Sequence, residues 1–333
     1  MTTPASYRAF QFTKHGPAAT VLQLRTDLTP DALTSTQVRV KVHSAAVNPI
    51  DTKLVEDDAT WLWGLTGISQ TPPSEKNPYN VGFDAAGTVV EVGADVHHFK
   101  VGDAVYTMTP FDKFGAVTEY LVIDQAYVAP KPASLTFDQA ASLPLAVLTS
   151  WQALVQHGNL QAGERVLILG GSGGTGSLGV QIAKARGAYV ITTTSGRNAD
   201  FVKSLGADEV IDYTTQKWVD VVSAHSVDVV YDCGMEPGSW NDEAQRVLKQ
   251  NTGRFVSLLD IPDRTPSLIG ATSCTFLAQP SGSDLRDVTE LVEKSQVTPI
   301  IDSVFDFEQC ADAINKLKTG RTRGKIVIRV ATE

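Results

Sequence analysis

Cysteine is scarce in this chain. Three occur in 333 residues, at Cys233, Cys274 and Cys310, and no two of them form a C-x-x-C pair. Disulfide-built scaffolds and cysteine-ligated zinc lobes need more cysteines at closer spacing, so both kinds of scaffold are excluded. Unpaired cysteines are typical of a reducing compartment, and we predict a cytoplasmic protein.

Long apolar runs and an excess of basic charge are also missing. No segment reaches the ~18 uncharged apolar residues of a membrane helix, and the first residues lack the basic start and apolar run of a signal peptide. The formal net charge is −9, whereas nucleic-acid binding depends on Lys and Arg neutralising phosphates. We therefore expect no membrane and no nucleic acid among the partners.

The chain is long enough for two hydrophobic cores, and two different sequence patterns follow one another along it. Before residue 130, short strand-like runs such as 37–48 and 104–109 alternate with turns, which is typical of a barrel. Thr136 and Gln139 then form the pattern of a capping box, and strand-like and helical runs alternate beyond it. That alternation predicts βαβ units and a parallel sheet.

A glycine turn stands at the start of this second part. Residues 166–179 read VLILGGSGGTGSLG, in which an apolar β-rich run is followed by Gly171, Gly173 and Gly176 in G-x-G-x-x-G spacing and then by a helix-forming stretch. The glycines allow a tight turn and close approach to a pyrophosphate, and the helix offers unpaired N–H groups to the anion. The context predicts a dinucleotide site; a glycine-rich turn without a ligand is the alternative.

The next strand-like run, 189–194, identifies the dinucleotide. It ends without the carboxylate that NAD-preferring sites place on the ribose 2′-hydroxyl. Ser195 and Arg197 follow it instead, and a hydroxyl with a guanidinium suits a 2′-phosphate. Arg197 is alternatively a solvated charge, but the helix dipole disfavours a cation at a helix start. We therefore predict NADPH rather than NADH.

Five segments in order resemble one family. They are NPIDTK (48–53), GFDAAG (82–87), AASLPL (140–145), the glycine turn, and RGKIV (323–327). Together they resemble the medium-chain dehydrogenase/reductase superfamily, within it the zinc-free quinone oxidoreductase branch related to zeta-crystallin. The resemblance implies an α/β protein with a GroES-like β-barrel catalytic domain (1–127), a Rossmann domain with a doubly wound parallel sheet that binds NADPH (128–295), and a return segment that completes the catalytic domain (296–333).

The same resemblance bears on metal chemistry. Zinc-dependent relatives hold the metal with a Cys, a His and a third Cys or acidic ligand, and this chain places Asn48, Phe83 and Leu145 there. Phe and Leu cannot coordinate a metal, and a lone Asn amide is a poor zinc ligand. We therefore expect no metal, and a substrate that is already electron-poor: a quinone, or an alkene activated by a carbonyl.

Cofactor contacts are likewise implied by resemblance. Asn48 and Thr149 would lie near the nicotinamide and its ribose, although Asn48 is alternatively a turn residue and Thr149 a helix cap. Tyr213 would help to hold the adenosine phosphate, or else close the sheet edge. The remaining implied contacts are Ser172, Gly173, Gly174 and Thr175 at the pyrophosphate, Ser257 and Leu258 beside the nicotinamide, and Lys325.

Lys53 and Asn48 are the candidate catalytic residues. Several reductases of activated alkenes resemble this chain in having a lysine at the Asp-x-Lys position, where it would protonate or stabilise an enolate. The alternative is a surface lysine on the helix after Asn48. Trp61, Trp63 and Leu65 lie in a stretch longer than in many relatives, and would line an acceptor pocket, cover it as a lid, or belong to the local core.

The sequence thus predicts an NADPH-dependent quinone oxidoreductase acting on a small molecule. An alkenal, enone or enoyl-thioester reductase is the alternative within the same chemistry. A non-catalytic NADPH-binding structural or regulatory protein is the alternative from another class. Residues 273–278 are predicted to form an edge strand that pairs with its copy in a homodimer.

Overall fold

The computed structural model describes residues 5–56, 71–113, 115–236, 238–258, 261 and 263–331. The chain divides into two compact units. The first unit comprises Met1–Leu145, Gln279–Glu293 and Pro299–Glu333, and the second comprises Ala146–Ala278 and Lys294–Thr298.

The strands of the described residues are numbered in chain order: β1 (Tyr7–Phe12), β2 (Gln23–Leu28), β3 (Gln37–Val47), β4 (Tyr79–Asn80), β5 (Asp84–Val92), β6 (Ala104–Met108), β7 (Tyr120–Asp124), β8 (Val128–Pro130), β9 (Arg165–Leu169), β10 (Tyr189–Thr194), β11 (Glu209–Asp212), β12 (Val229–Asp232), β13 (Arg254–Ser257), β14 (Thr272–Thr275), β15 (Ile301–Asp306) and β16 (Lys325–Arg329).

The helices are α1 (Ala18–Val21), α2 (Pro49–Glu56), α3 (Phe137–Ala141), α4 (Pro144–Trp151), α5 (Gly174–Ala185), α6 (Ala199–Ser204), α7 (Trp218–Val221), α8 (Gln245–Val247), α9 (Gly282–Glu293) and α10 (Cys310–Lys318). Short 3₁₀ turns occur at Gln125–Tyr127, Gly196–Asn198 and Phe307–Gln309, and π-helical turns at Gln152–His157 and Ser239–Ala244. The capping box of Thr136 and Gln139 is present at the start of α3, as predicted.

The first unit is built on β3. This strand pairs antiparallel with β5, β7 and β16. Within the described residues the sheet has seven strands: six in the order β15-β16-β3-β5-β6-β8, and β7, which pairs with β3 off this path. Val38, Val40 and Val42 alternate along β3 and are at most 1% exposed, because one face of the strand lies in the core. A smaller sheet, β2-β1-β4, completes a β-rich unit of the predicted barrel type.

The second unit contains a parallel sheet. Its order in the described residues is β11-β10-β9-β12-β13-β14, with all neighbouring strands parallel. Val166 to Leu169 of the central strand β9 are fully buried, as expected where helices cover both faces of a sheet. The chain runs outward from β9 to β11 and then returns to β12, so the carboxyl ends of β9 and β12 form a topological switch point, where such sheets bind ligands.

Candidate functional site

Glycine is sterically required at two positions of the turn between β9 and α5. A Cβ on Gly171 would lie 2.0 Å from Thr192 Oγ1, and a Cβ on Gly176 would lie 2.2 Å from the carbonyl oxygen of Gly170. Only glycine therefore fits at these two positions. Gly171, the first glycine of the motif, allows the tight turn, and Gly176, the third, allows the helix to pack closely on the strand.

Gly173, the second glycine of the motif, differs from the other two. A Cβ there would meet only the Gly170 carbonyl oxygen, at 3.5 Å, which is ordinary van der Waals contact. The second unit itself therefore does not require glycine here; a closely approaching ligand would. Gly173 also precedes the first turn of α5 without a side-chain cap, so the helix N–H groups remain available to an anion. The turn fits the pyrophosphate of a dinucleotide.

The end of β10 is joined to this turn through Ser172. Thr194 Oγ1 donates to Ser172 Oγ at 2.8 Å, and Asn198 Nδ2 donates to Ser172 Oγ and to Ser195 Oγ, each at 3.3 Å. The structure therefore brings Ser172 and Ser195 together. Arg197 is exposed and makes no ion pair with any residue that the structure describes.

Asp212 is a carboxylate that the sequence interpretation missed. It ends β11 in register with Thr194 of β10, and its Oδ1 accepts from Thr214 N at 3.0 Å and Thr214 Oγ1 at 2.6 Å. The Thr214 hydroxyl and backbone N–H lower the pKa of this carboxyl. A Cβ on Gly196 would lie 2.4 Å from Asp212 Oδ2, so the 195–198 loop rests against an ionised carboxylate. Only the parallel register, and not the order of the sequence, places it there.

Several other predicted contacts also lie at this end of the second unit's sheet. Tyr213 follows Asp212, is 57% exposed, and donates its backbone N–H to the Thr194 carbonyl oxygen at 3.1 Å. Ser257, in register with Asp232, ends β13 and is buried, and Leu258 follows it.

Helix α4 approaches the glycine turn through its hydroxyl residues. Thr149 is buried on this helix, and the neighbouring Ser150 donates its Oγ–H to the Thr175 carbonyl oxygen at 2.8 Å. This bond fixes the start of α5, where Gly174 and Thr175 stand, against the helix that carries Thr149.

A separate buried polar cluster lies in the first unit. Lys325, the first residue of β16, donates its ammonium to Asn48 Oδ1 and, at 3.0 Å, to Asp84 Oδ2. Asn48 Nδ2 donates to the same Asp84 Oδ2 at 3.0 Å, and Asp84 Oδ1 accepts from Leu145 N at 2.6 Å. We call Asn48, Asp84 and Lys325 the amide cluster.

The amide cluster fixes the orientation of Asn48. Its carbonyl oxygen faces the ammonium and one amide hydrogen faces the carboxylate, so the second amide hydrogen is left for another acceptor. The burial of Lys325 is balanced by the charge of Asp84, as buried charges require. Lys325, which is predicted to contact the cofactor, thus bonds inside the first unit to Asn48, which is predicted to be catalytic.

Asp51 holds the same region together from the start of α2. Its Oδ2 accepts from Asn48 N at 2.7 Å, and its Oδ1 accepts from Gly82 N at 2.7 Å. The side chain is fully buried, and desolvation raises its pKa to about 7. Lys53 lies half-buried on the same helix. Trp61, Trp63 and Leu65 lie outside the described residues.

The positions that the resemblance assigns to zinc ligands carry other groups. Phe83 is fully buried and packs on Phe111, with ring centroids 5.0 Å apart. Leu145 contributes its backbone N–H to Asp84. In the part of the chain that the structure describes, no three His, Cys, Asp or Glu side chains cluster in a way that would hold a metal ion. Among the same residues, no helix is both long and apolar enough to cross a membrane.

Comparison with known families gives two matches. Residues 34–133 match the alcohol dehydrogenase GroES-like domain, and residues 205–328 match the zinc-binding dehydrogenase family. The first match lies in the β-rich part of the chain, and the second begins beyond the glycine turn.

Individual proteins match over nearly the whole chain. The mitochondrial NAD(P)H oxidoreductase RTN4IP1 of Danio rerio is 34% identical over 88% of this chain and 84% of its own length. The chloroplastic NADPH-dependent alkenal/one oxidoreductase of Arabidopsis thaliana is 33% identical over 98% and 80%. The solved structure of the quinone oxidoreductase from Coxiella burnetii superposes with a TM-score of 0.82 at 32% identity, over 98% of this chain and all of that one. The predicted fold class is confirmed.

Proposed function

This chain belongs to the medium-chain dehydrogenase/reductase superfamily, and from that premise we propose that it is an NADPH-dependent quinone oxidoreductase that works without zinc. A nicotinamide-dependent oxidoreductase is the activity named for its relatives in Danio and Arabidopsis. The observation that carries the narrower proposal is the donor set around Asn48. An amide held by Lys325 and Asp84 suits hydrogen bonding to an oxygen and does not suit binding a Lewis-acid metal, and Phe83, at a position that the resemblance assigns to a zinc ligand, cannot coordinate one.

NADPH is supported by the groups near the end of β10. Ser172 and Ser195 place two hydroxyls together, and Arg197 supplies a guanidinium without an ion-pair partner among the described residues. A phosphate accepts charge-assisted hydrogen bonds from such groups. Asp212 against Gly196 is kept ionised by its bonds from Thr214 and opposes an anion, so the donors of Ser172, Ser195 and Arg197 must outweigh its charge.

The chain's own residues bind and orient the reactants. When bound, the reduced nicotinamide supplies a hydride. The uncapped start of α5 and the bare backbone at Gly173 would hold the pyrophosphate, while Thr149 and the free amide hydrogen of Asn48 would orient groups near the nicotinamide. An electron-poor quinone needs no metal to polarise it, and its reduced oxygen takes a proton from water.

Reduction of activated alkenes is the second candidate, because the Arabidopsis relative is named for alkenals and enones. The test is NADPH oxidation by the purified protein with 9,10-phenanthrenequinone, a 2-alkenal and a crotonyl thioester as separate acceptors. We expect the largest kcat/KM for the quinone. A strong preference for either alkene overturns the quinone assignment. Tight NADPH binding without reduction of any acceptor would identify a structural or regulatory protein.

We propose a homodimer formed through β14. This strand is at one end of the second unit's sheet as described, paired with β13 on one side, and an unpaired edge favours addition of another strand. A symmetric dimer would pair β14 with its copy. Sedimentation at micromolar concentration should give about twice 35.7 kDa. A species of 35.7 kDa alone removes the dimer.

We also propose the cytosol as the compartment. Cys233, Cys274 and Cys310 are all free thiols, which fits a reducing environment. The named relatives are mitochondrial and chloroplastic, so microscopy of the tagged protein decides between the cytosol and an organelle.

A further inference from the structure

The Ser172 hydroxyl has one hydrogen to donate and two lone pairs that accept. Thr194 Oγ1 donates to it at 2.8 Å and Asn198 Nδ2 donates to it at 3.3 Å, so both accepting positions are occupied. Thr194 is fully buried, so this bond lies away from solvent on the Thr194 side.

The Ser172 hydroxyl can therefore make a further hydrogen bond only by donating its own hydrogen. Among the described residues, no acceptor receives its hydroxyl hydrogen. Ser172 is half-buried, so water can reach this hydrogen in the free protein. An anionic oxygen that displaced the water would gain a charge-assisted hydrogen bond from a hydroxyl that is already oriented.

The position of the two donors indicates which oxygen Ser172 serves. Thr194 is the last residue of β10, and Asn198 ends the 3₁₀ turn that follows it. In doubly wound sheets the end of the second strand lies beside the adenosine ribose and its 2′-substituent. The pyrophosphate already has the uncapped N–H groups of α5. Asn198 also holds Ser195 Oγ, so the two hydroxyls face the same region.

We propose that Ser172 donates its hydroxyl hydrogen to the 2′-phosphate of NADPH, with Thr194 and Asn198 as the positioning residues that orient it. This proposal rests on the proposed use of NADPH and reassigns Ser172, which the resemblance alone places at the pyrophosphate. The selectivity of the chain for the phosphorylated dinucleotide then depends on a hydroxyl of the glycine turn.

Calorimetric titration with NADP⁺ and NAD⁺, which differ only in the 2′-phosphate, tests the proposal through dissociation constants and needs no activity assay. Ser172→Ala should weaken NADP⁺ binding about tenfold or more and change NAD⁺ binding by less than about twofold. Thr194→Val should weaken the binding of NADP⁺ by about threefold and leave the binding of NAD⁺ unchanged. Thr194→Ser keeps the hydroxyl donor, so it should bind NADP⁺ as tightly as the wild type. Thermal melting of each variant confirms that it is folded.

Ser204→Ala is the matched control, because its Oγ donates to the Phe201 carbonyl oxygen on α6 and stands outside the proposed contact. It should leave both dissociation constants unchanged. Equal weakening of NADP⁺ and NAD⁺ by Ser172→Ala returns Ser172 to the pyrophosphate and overturns the proposal, as does no weakening of either. A wild-type protein that binds the two dinucleotides equally overturns the proposed use of NADPH itself.

Discussion

Lys325 Nζ and Asp84 Oδ2 lie 3.0 Å apart, although the two residues are 241 positions apart in the sequence, and their side chains are 6% and 0% exposed. A charge pair this deeply buried tolerates the loss of one partner badly, because the other is left uncompensated. The pair also fixes the Asn48 amide, so stability and site geometry depend on the same three side chains.

Lys325→Met should lower the free energy of unfolding by about 3–5 kcal/mol, because it leaves the Asp84 carboxylate buried and alone. Urea denaturation measures this loss. The double variant Lys325→Met/Asp84→Asn should recover part of it, since neither charge then remains. Lys318→Met is the control: it removes an exposed pair with Glu56 and should cost less than about 1 kcal/mol. If Lys325→Met and Lys318→Met lowered the free energy of unfolding equally, burial of the Lys325–Asp84 pair would not increase the cost of breaking it.

Asp51 predicts a pH dependence of stability. Burial raises the pKa of its carboxyl to about 7 in the folded protein, above the usual value of 3.8. Between these values the folded state holds a proton that the unfolded state releases, so stability falls as pH rises and levels off above pH 7. Between pH 5 and pH 8 we expect the titration of Asp51 alone to lower the free energy of unfolding by about 2–3 kcal/mol.

Urea denaturation of wild type and Asp51→Asn at pH 5 and pH 8 isolates that contribution. The amide has no proton to lose here, so the stability advantage of the wild type should be larger at pH 5 than at pH 8. The variant also leaves Asn48 N or Gly82 N without an acceptor, at a pH-independent cost of about 1–3 kcal/mol. A wild-type advantage that is constant or grows with pH would mean that Asp51 is already ionised at pH 5.

Gly173→Ala and Gly176→Ala form a matched pair with opposite expectations. The first adds a methyl group that meets only ordinary contact at 3.5 Å, so melting should change little while NADP⁺ binding weakens about tenfold or more. The second adds a methyl group 2.2 Å from the Gly170 carbonyl oxygen, so the fold itself should be destabilised. Melting temperature and calorimetric Kd together separate the two. Unchanged binding in Gly173→Ala would remove the pyrophosphate from this turn.

Lys53→Met tests whether a protein side chain donates a proton. If it does, kcat for an enone should fall by about 10²-fold while quinone reduction stays within about twofold, because a reduced quinone takes its proton from water. Lys318→Met again serves as the control for loss of a lysine. An equal fall for both acceptors would assign Lys53 to binding, and no fall would make it a surface lysine.

The sequence predicted what depends on local pattern. The glycine turn, the run of strands 166–169, 189–194 and 209–213, and the capping box of Thr136 follow from neighbours in the chain. The structure has each of them, except that β9 begins at Arg165 and β11 ends at Asp212. The family and fold class, inferred from five segments in order, are confirmed by the comparisons.

What the sequence did not reveal depends on pairing across the fold. Asp212 reaches the 195–198 loop because β10 and β11 are parallel and in register, whereas the sequence shows only the residues that directly follow β10. Lys325 contacts Asn48 across 277 positions, a pairing that antiparallel β3 and β16 create and that spacing along the chain cannot show.

The most direct test of the account is the rate of 9,10-phenanthrenequinone reduction with NADPH and with NADH, measured on protein before and after removal of metal by a chelator. We predict a kcat/KM at least about tenfold higher with NADPH, since a 2′-phosphate adds charge-assisted bonds, and no change on chelation. Equal rates with the two dinucleotides, or activity lost on chelation and restored by Zn²⁺, would contradict it.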